Sequence, residues 1–411
     1  MSGDALGRAL REARIPTSPD AEERGLRVLA AAFAERESQA RNLPEGRRPS
    51  FPRLALVVAI ASLLAALLLS PAGAAVRDWV RDVVDSPAPR PEPTLTAIPG
   101  GGRLLVQSAA GPWVVRPDGS RRLLGDYEEA SWSPHGLFVA AVKGRTLSAV
   151  APDGTPRWSV TARREIGTPR WSPSGERIAY RDGFGLRVIA GDGTGDRLLA
   201  GSTASTSPAH VAPAWSPGGE SALAYVSGDG RLRIVDSESG EPLAAAPALR
   251  RITWMEWAGG GGAILEGSPE ALRLRPVGPR KLPPGFALGR PRQLPVPAGA
   301  TVVDAAPAPD RESVAAVLTD WRKSGTDSSV VVFAPGASRP RRLLTVPGSL
   351  GEVTWSPDGR KLLVAWPAAD EWLFLPLGRG RGRAVANVSA AFAPGHRAAS
   401  FPRVDGWCCP R

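Results

Sequence analysis

Past residue 100 the chain alternates short apolar runs with tight polar breaks, and one stretch shows the pattern most fully. Glu352, Val353 and Thr354 form a β-prone run that ends at Trp355; Ser356-Pro357-Asp358-Gly359 interrupts it; Lys361-Leu362-Leu363-Val364-Ala365 resumes it. Pro357 presets φ at an early position of a type I turn, Asp358 can hydrogen-bond nearby backbone, and Gly359 supplies a positive φ. The stretch therefore predicts a β-hairpin with a large aromatic side chain at one fixed position.

Copies recur at Trp132-Ser133-Pro134-His135-Gly136, Trp171-Ser172-Pro173-Ser174-Gly175 and Trp215-Ser216-Pro217-Gly218-Gly219, and degenerate copies at Trp257-Ala258-Gly259-Gly260, Pro307-Ala308-Pro309-Asp310-Arg311 and Phe392-Ala393-Pro394-Gly395. The anchors 132, 171, 215, 257, 307, 355 and 392 stand 39, 44, 42, 50, 48 and 37 residues apart, the period of a four-stranded propeller blade. A second signature lies between them: Arg116-Pro117-Asp118-Gly119-Ser120, Ala151-Pro152-Asp153-Gly154-Thr155 and Gly191-Asp192-Gly193-Thr194, with weaker versions at Asp236 to Gly240 and Pro335 to Ser338. These predict tight turns between the last two strands of each blade.

Trp-Ser-Pro-Asp-Gly alternating with an Asp-Gly hairpin that runs into Arg-Leu-Leu resembles the TolB-type, WD-repeat-like β-propeller family over roughly residues 100 to 405. The resemblance implies an all-β fold; the copies at 257, 307 and 392 depart from the pattern, and a fold that hosts many jobs assigns none by itself. Arg103 to Asp126 carries strands without a preceding Trp-Ser-Pro, and Val388 to Pro402 carries a hairpin with nothing after it to finish a blade. Six whole blades plus one assembled from both ends gives a seven-bladed β-propeller, six or eight being the neighbouring counts. Closure, with the segment around Phe392 pairing onto strands near Leu104 and Trp113, removes exposed sheet edges.

Gly (46) and Pro (42) make up about a fifth of the 411 residues, as a turn-dense propeller over residues 99–411 requires. Ahead of it, residues 1–53 read as a cytoplasmic helical leader: Ser18-Pro19-Asp20 starts a helix whose face carries Leu26, Leu29 and Phe33, and a shorter helix is expected over Asp4 to Arg14. Residues 54–76 are long and apolar enough for a transmembrane helix. Ala72-Gly73-Ala74 also resembles a signal-peptide cleavage site, but the long leader favours an uncleaved signal anchor. Arg41, Arg47, Arg48 and Arg53 before the span, against Arg77 and Arg81 offset by Asp78 and Asp82 after it, place the N-terminus in the cytoplasm and the propeller outside the cell membrane. Residues 77–98 read as an interfacial helix presenting Val76, Trp79, Val80 and Val83, followed by a spacer with Pro87, Pro89, Pro91 and Pro93.

The net charge of +11 does not imply nucleic acid, because the basic residues are scattered among carboxylates and no nucleic-acid motif accompanies them. There is no Gly-x-Ser-x-Gly elbow, phosphate loop or dinucleotide fingerprint. His135, His210 and His396 read as structural or surface residues, and Asp192 and Asp196 as parts of a hairpin, not a calcium loop. No residue is assigned as catalytic, cofactor-binding or metal-binding. Trp132, Trp171, Trp215, Trp257 and Trp355 share one repeat position and are expected to pack between blades; Trp254, Trp321, Trp366 and Trp372 lie off it and are candidates for a binding face. Cys408 and Cys409 leave open a free tail, an intermolecular bond or a vicinal disulfide. The expected function is a non-enzymatic binding or scaffold module, membrane-anchored, taking a protein or other extracytoplasmic ligand on its face without a cofactor. The alternatives are a transducer whose leader binds a cytoplasmic regulator, as in an anti-sigma layout, and a propeller hydrolase with channel carboxylates.

Overall fold

The computed structural model describes residues 91–92, 95–183, 185–200, 211–217, 222–280, 285–309, 313–322, 325–393 and 400–409. The expected leader, the apolar span 54–76 and the helix around Trp79 lie outside the described residues, among which no helix is long and apolar enough to cross a membrane. The described chain folds into seven antiparallel sheets of at least four strands each. These are the seven expected blades.

Blade 1 joins Arg403–Cys408 to Arg103–Ser108, Gly111–Val115 and Arg121–Leu123. Blades 2 to 7 then follow in sequence, each entering on an innermost strand: Glu129–Trp132, Ile166–Trp171, Ala214–Trp215, Trp254–Ala258, Ala300–Pro307 and Val353–Trp355. Blade 7 gains an outer fifth strand, Pro91–Glu92, parallel to Ala384 and Val385. Just after it, Leu95 and Ile98 are buried in the core.

The repeat's residue types have local reasons. In the turn after Trp355, the Gly359 N–H donates to Ser356 O at 2.8 Å, and Gly359 sits at φ +65, where an L side chain is strained. The Ser356 hydroxyl accepts the Lys361 N–H at 2.9 Å; Ser133 and Ser172 do the same for Phe138 and Arg177, both at 3.0 Å. The serine thus closes the hairpin mouth and fixes its register. At the second kind of turn, Asp118, Asp153 and Asp192 accept the N–H two residues on, at 2.9 to 3.0 Å. Asp196 is held by the Arg187 guanidinium at 2.7 Å and the Tyr180 hydroxyl at 2.6 Å, which leaves this segment a hairpin.

Each pair of neighbouring blades shares an apolar cluster. Leu105 and Val139 mark the one between blades 1 and 2, Leu147 and Ile178 the next, and Leu186, Leu223 and Ile264 run through blades 3, 4 and 5. Leu265 with Val314, Val317 with Leu362, and Leu363 with Leu104 complete the circuit. Non-directional apolar burial between flat sheet faces is what closes the ring.

The closing strand differs from the expectation. Val388–Ala391 forms a helical turn, and Phe392 is buried in the seam between blades 7 and 1, edge-on to Trp113 at 5.7 Å. Arg403–Cys408 supplies the missing innermost strand, so Trp407 holds the seventh anchor position. Phe392-Ala-Pro-Gly mimics the repeat, but Asn387, in the left-handed region, starts a helical turn just ahead of it where the other copies have an extended run. Cys408 and Cys409 form a vicinal disulfide packed on the Trp132 turn. The Cβ of any other residue at Gly136 would run into Cys409 Sγ.

Candidate binding site at the channel mouth

Four of the five repeat tryptophans are buried as expected, Trp171, Trp215, Trp257 and Trp355, with Trp132 half-buried. Their indoles also stitch blades together. Trp215 Nε1 donates to Arg170 O at 3.0 Å, Trp257 Nε1 to Ala214 O at 2.9 Å and Trp355 Nε1 to Ala306 O at 2.9 Å. In each case the acceptor is the carbonyl just before the preceding blade's anchor.

Because strand side chains alternate, the positions one and three before an anchor face away from the indole's side. Those positions hold Glu129, Arg170, Glu256, Asp304 and Glu352. In blade 1 the register shifts between Leu105 and Val106, leaving Asp405 as an extra residue and reversing the alternation, so that Arg403 and Asp405 join the set. Five carboxylates and two guanidiniums from six innermost strands are thereby electrostatically coupled around the axis. Glu256 and Glu352 both act on Asp304; Arg403 acts on Glu352; Glu129 acts on Arg403; Arg170 acts on Asp405 and Glu256.

Enclosure dominates this group. Burial pushes Asp304 up to about 7, and Glu256 and Glu352 add to it, against the N–H groups of Val353 (2.9 Å) and Ala305. Asp304 is only half-buried by its surface, so it is walled in by protein yet reached by channel water. The surrounding protein likewise raises Glu256, whose own surface is exposed, with Arg170 opposing, and burial raises Glu352 and Asp405, each opposed by Arg403. Burial works against the Arg403 charge, but Asp405, Glu352 and Glu129 outweigh it and hold it protonated. Arg403 Nε donates to Asp405 Oδ1 at 2.6 Å, while Asp405 Oδ2 is buried with no partner. The Glu129 carboxylate accepts the Thr168 N–H at 2.5 Å, with Thr168 at φ +51.

At one end the channel widens into a bowl of about 380 Å³. Trp132, Trp171, Trp215 and Trp257 with the turn prolines Pro134, Pro173, Pro217 and Pro309 form its wall, and Arg170 and Glu256 reach it from the channel. Residues from five consecutive innermost strands or their turns line it, which places it on the ring axis. Aromatic and proline walls around a few charged groups are what a recessed recognition site requires. Among the described residues, no group of three or more His, Cys, Asp and Glu is arranged to hold a metal ion.

Of the tryptophans off the anchor position, Trp321 is 63% exposed at the end of a blade 6 strand, Trp254 and Trp366 are half-buried, and Trp372 is buried. His135 is exposed on its turn, and His210 and His396 lie outside the described residues. Repeat offsets would have located the channel charges at 129, 170, 256, 304 and 352. They could not have located Arg403 and Asp405, which follow a bulge.

No protein-family model matches the chain, and no curated protein matches it. Solved structures match in fold. The β-propeller domain of Myceliophteria thermophila Cps50 (Swd1) superposes with a TM-score of 0.52 at 15% identity, covering 70% of this chain and 100% of that one. A chain of a mitotic checkpoint complex gives 0.51 at 14% identity, covering 72% and 96%. The chain is thus a seven-bladed β-propeller with WD-repeat-like structural neighbours.

Proposed function

We propose that the propeller is a protein-binding module whose channel mouth receives a basic peptide segment of its partner. The observation that carries this reading is the bowl itself, with indole and proline walls for an aliphatic stem and Glu256 below, backed by Asp304 and Glu352. With five carboxylates against two arginines, the channel attracts cations even though the whole chain is basic. Assembly into a multiprotein complex by a structural neighbour supports the same class of role. The Trp-Ser-Pro-Asp-Gly repeat supports a TolB-type member of the propeller class, and the apolar span 54–76 with its flanking arginines supports a membrane-tethered module with the propeller outside.

Titration of the full-length protein with fluorescent peptides rich in lysine and proline, against peptides with glutamate in place of lysine, tests the reading. Binding of the lysine series, weakened at least tenfold by Glu256→Gln, is expected. Equal binding of both series would refute it. Reporter fusions at residues 40 and 411 test the topology, and an external residue 40 would overturn it.

A further inference from the structure

The seam between blades 7 and 1 holds a second cavity, of about 250 Å³, apart from the channel residues. Trp372 and Val385 of blade 7, Val388 and Phe392 of the helical turn, and Leu95 give it an apolar body. Its polar groups are few. Arg121, from the outer strand of blade 1, lies 5.5 Å over the Phe392 ring and is exposed; among the described residues it forms no salt bridge. Trp372 is 1% exposed, and its indole N–H is buried with no acceptor. The exposed Asn387 lines the rim, and its side chain does not cap the turn that it starts.

A buried donor without an acceptor destabilises the fold that contains it, and an acceptor brought by a ligand relieves that cost. A cavity of about 150 Å³ admits a benzene-sized guest, so this one has room for a ring with a short side chain. An arginine held over an aromatic ring keeps its guanidinium edge available for a carboxylate. From these features we infer that the seam cavity binds a small organic monocarboxylate with an aromatic or branched apolar body. Its carboxylate is held by Arg121, the buried donor of Trp372 is satisfied, and the body packs against Phe392 and Val385. The site is independent of the channel mouth.

The full-length protein, labelled at its tryptophan indoles with ¹⁵N, is titrated with 3-phenylpropionate and, separately, with its neutral amide. The indole signal that disappears in Trp372→Phe should shift on adding the acid. Arg121→Gln should weaken acid binding at least tenfold while leaving the weaker amide binding within twofold, and Asp304→Asn in the channel should leave acid binding unchanged. An unmoved Trp372 signal at millimolar acid, equal binding of acid and amide, or Arg121→Gln without effect would each overturn the assignment. If Trp372→Phe fails to fold, Arg121→Gln alone decides, because that side chain is exposed.

Discussion

Replacing Asp304 by Asn should stabilise the protein above neutral pH, against the usual expectation for a half-buried residue on a central strand. Asp304 carries its carboxyl among Glu256 and Glu352 in an enclosed channel, and its titration moves from the ordinary 3.8 to about 7. Without screening, that displacement sets about 4 kcal/mol against the ionised form at high pH. Channel water screens the charge, so the expected gain for Asn at pH 8 is about 1–2 kcal/mol. The carboxamide oxygen can still accept the Val353 N–H that Asp304 Oδ2 accepts at 2.9 Å, so the strand contact survives. The sign follows from linkage. The native state holds this proton more tightly than the unfolded chain does, so its stabilisation is full below pH 3.8 and is lost as pH rises through 7. Urea unfolding of both proteins at pH 5 and pH 8, followed by tryptophan fluorescence, reads the effect. The wild type should lose more stability than Asp304→Asn between the two pH values. Parallel pH dependences, or a variant less stable at pH 8, would refute the placement of Asp304 in an enclosed acidic channel.

Other perturbations address the ring and its hairpins. Trp407→Ala should cost about 3–5 kcal/mol, because a buried anchor and its 2.8 Å bond to Gly101 O are lost at the closing strand; urea midpoints measure it, and a cost under 1 kcal/mol would count against closure by residues 403–408. Glu266 is fully buried between Arg273 (2.6 Å) and Arg275 (2.8 Å) and accepts the Leu249 N–H, so Glu266→Ala should cost about 3–5 kcal/mol by stranding two guanidiniums. Ser356→Ala should cost about 1–2 kcal/mol, since the Lys361 N–H loses the buried hydroxyl that accepts it; hydrogen exchange should show the loss confined to blade 7.

How far the sequence reveals the site depends on what each signal encodes. The Trp-Ser-Pro-x-Gly turn is local chemistry, with an indole for the blade interface, a hydroxyl for the hairpin mouth and a glycine for positive φ, so the repeat period is readable from spacing, and seven blades follow once one is assembled from both ends. The closing strand is not. Arg403-Val404-Asp405-Gly406-Trp407 carries no Ser-Pro-x-Gly after its tryptophan, whereas Phe392, which heads the degenerate copy, follows the helical turn Val388–Ala391 in place of an extended run. Channel charges are half-readable. Glu129, Asp304 and Glu352 recur three positions before their anchors, but six blades contribute one or two charged residues each and blade 4 none, and the set exists only when the ring brings six strands to one axis. The bulge at Asp405 is a pairing event with no residue signature of its own.

Zero-length carbodiimide coupling between a bound lysine-rich peptide and the full-length protein, followed by mass-spectrometric mapping, tests the channel-mouth site most directly. The coupled carboxylate should be Glu256, with the product lost in Glu256→Gln. Coupling confined to the outer-turn acids Asp118, Asp153 and Asp192, unchanged by that substitution, would contradict it.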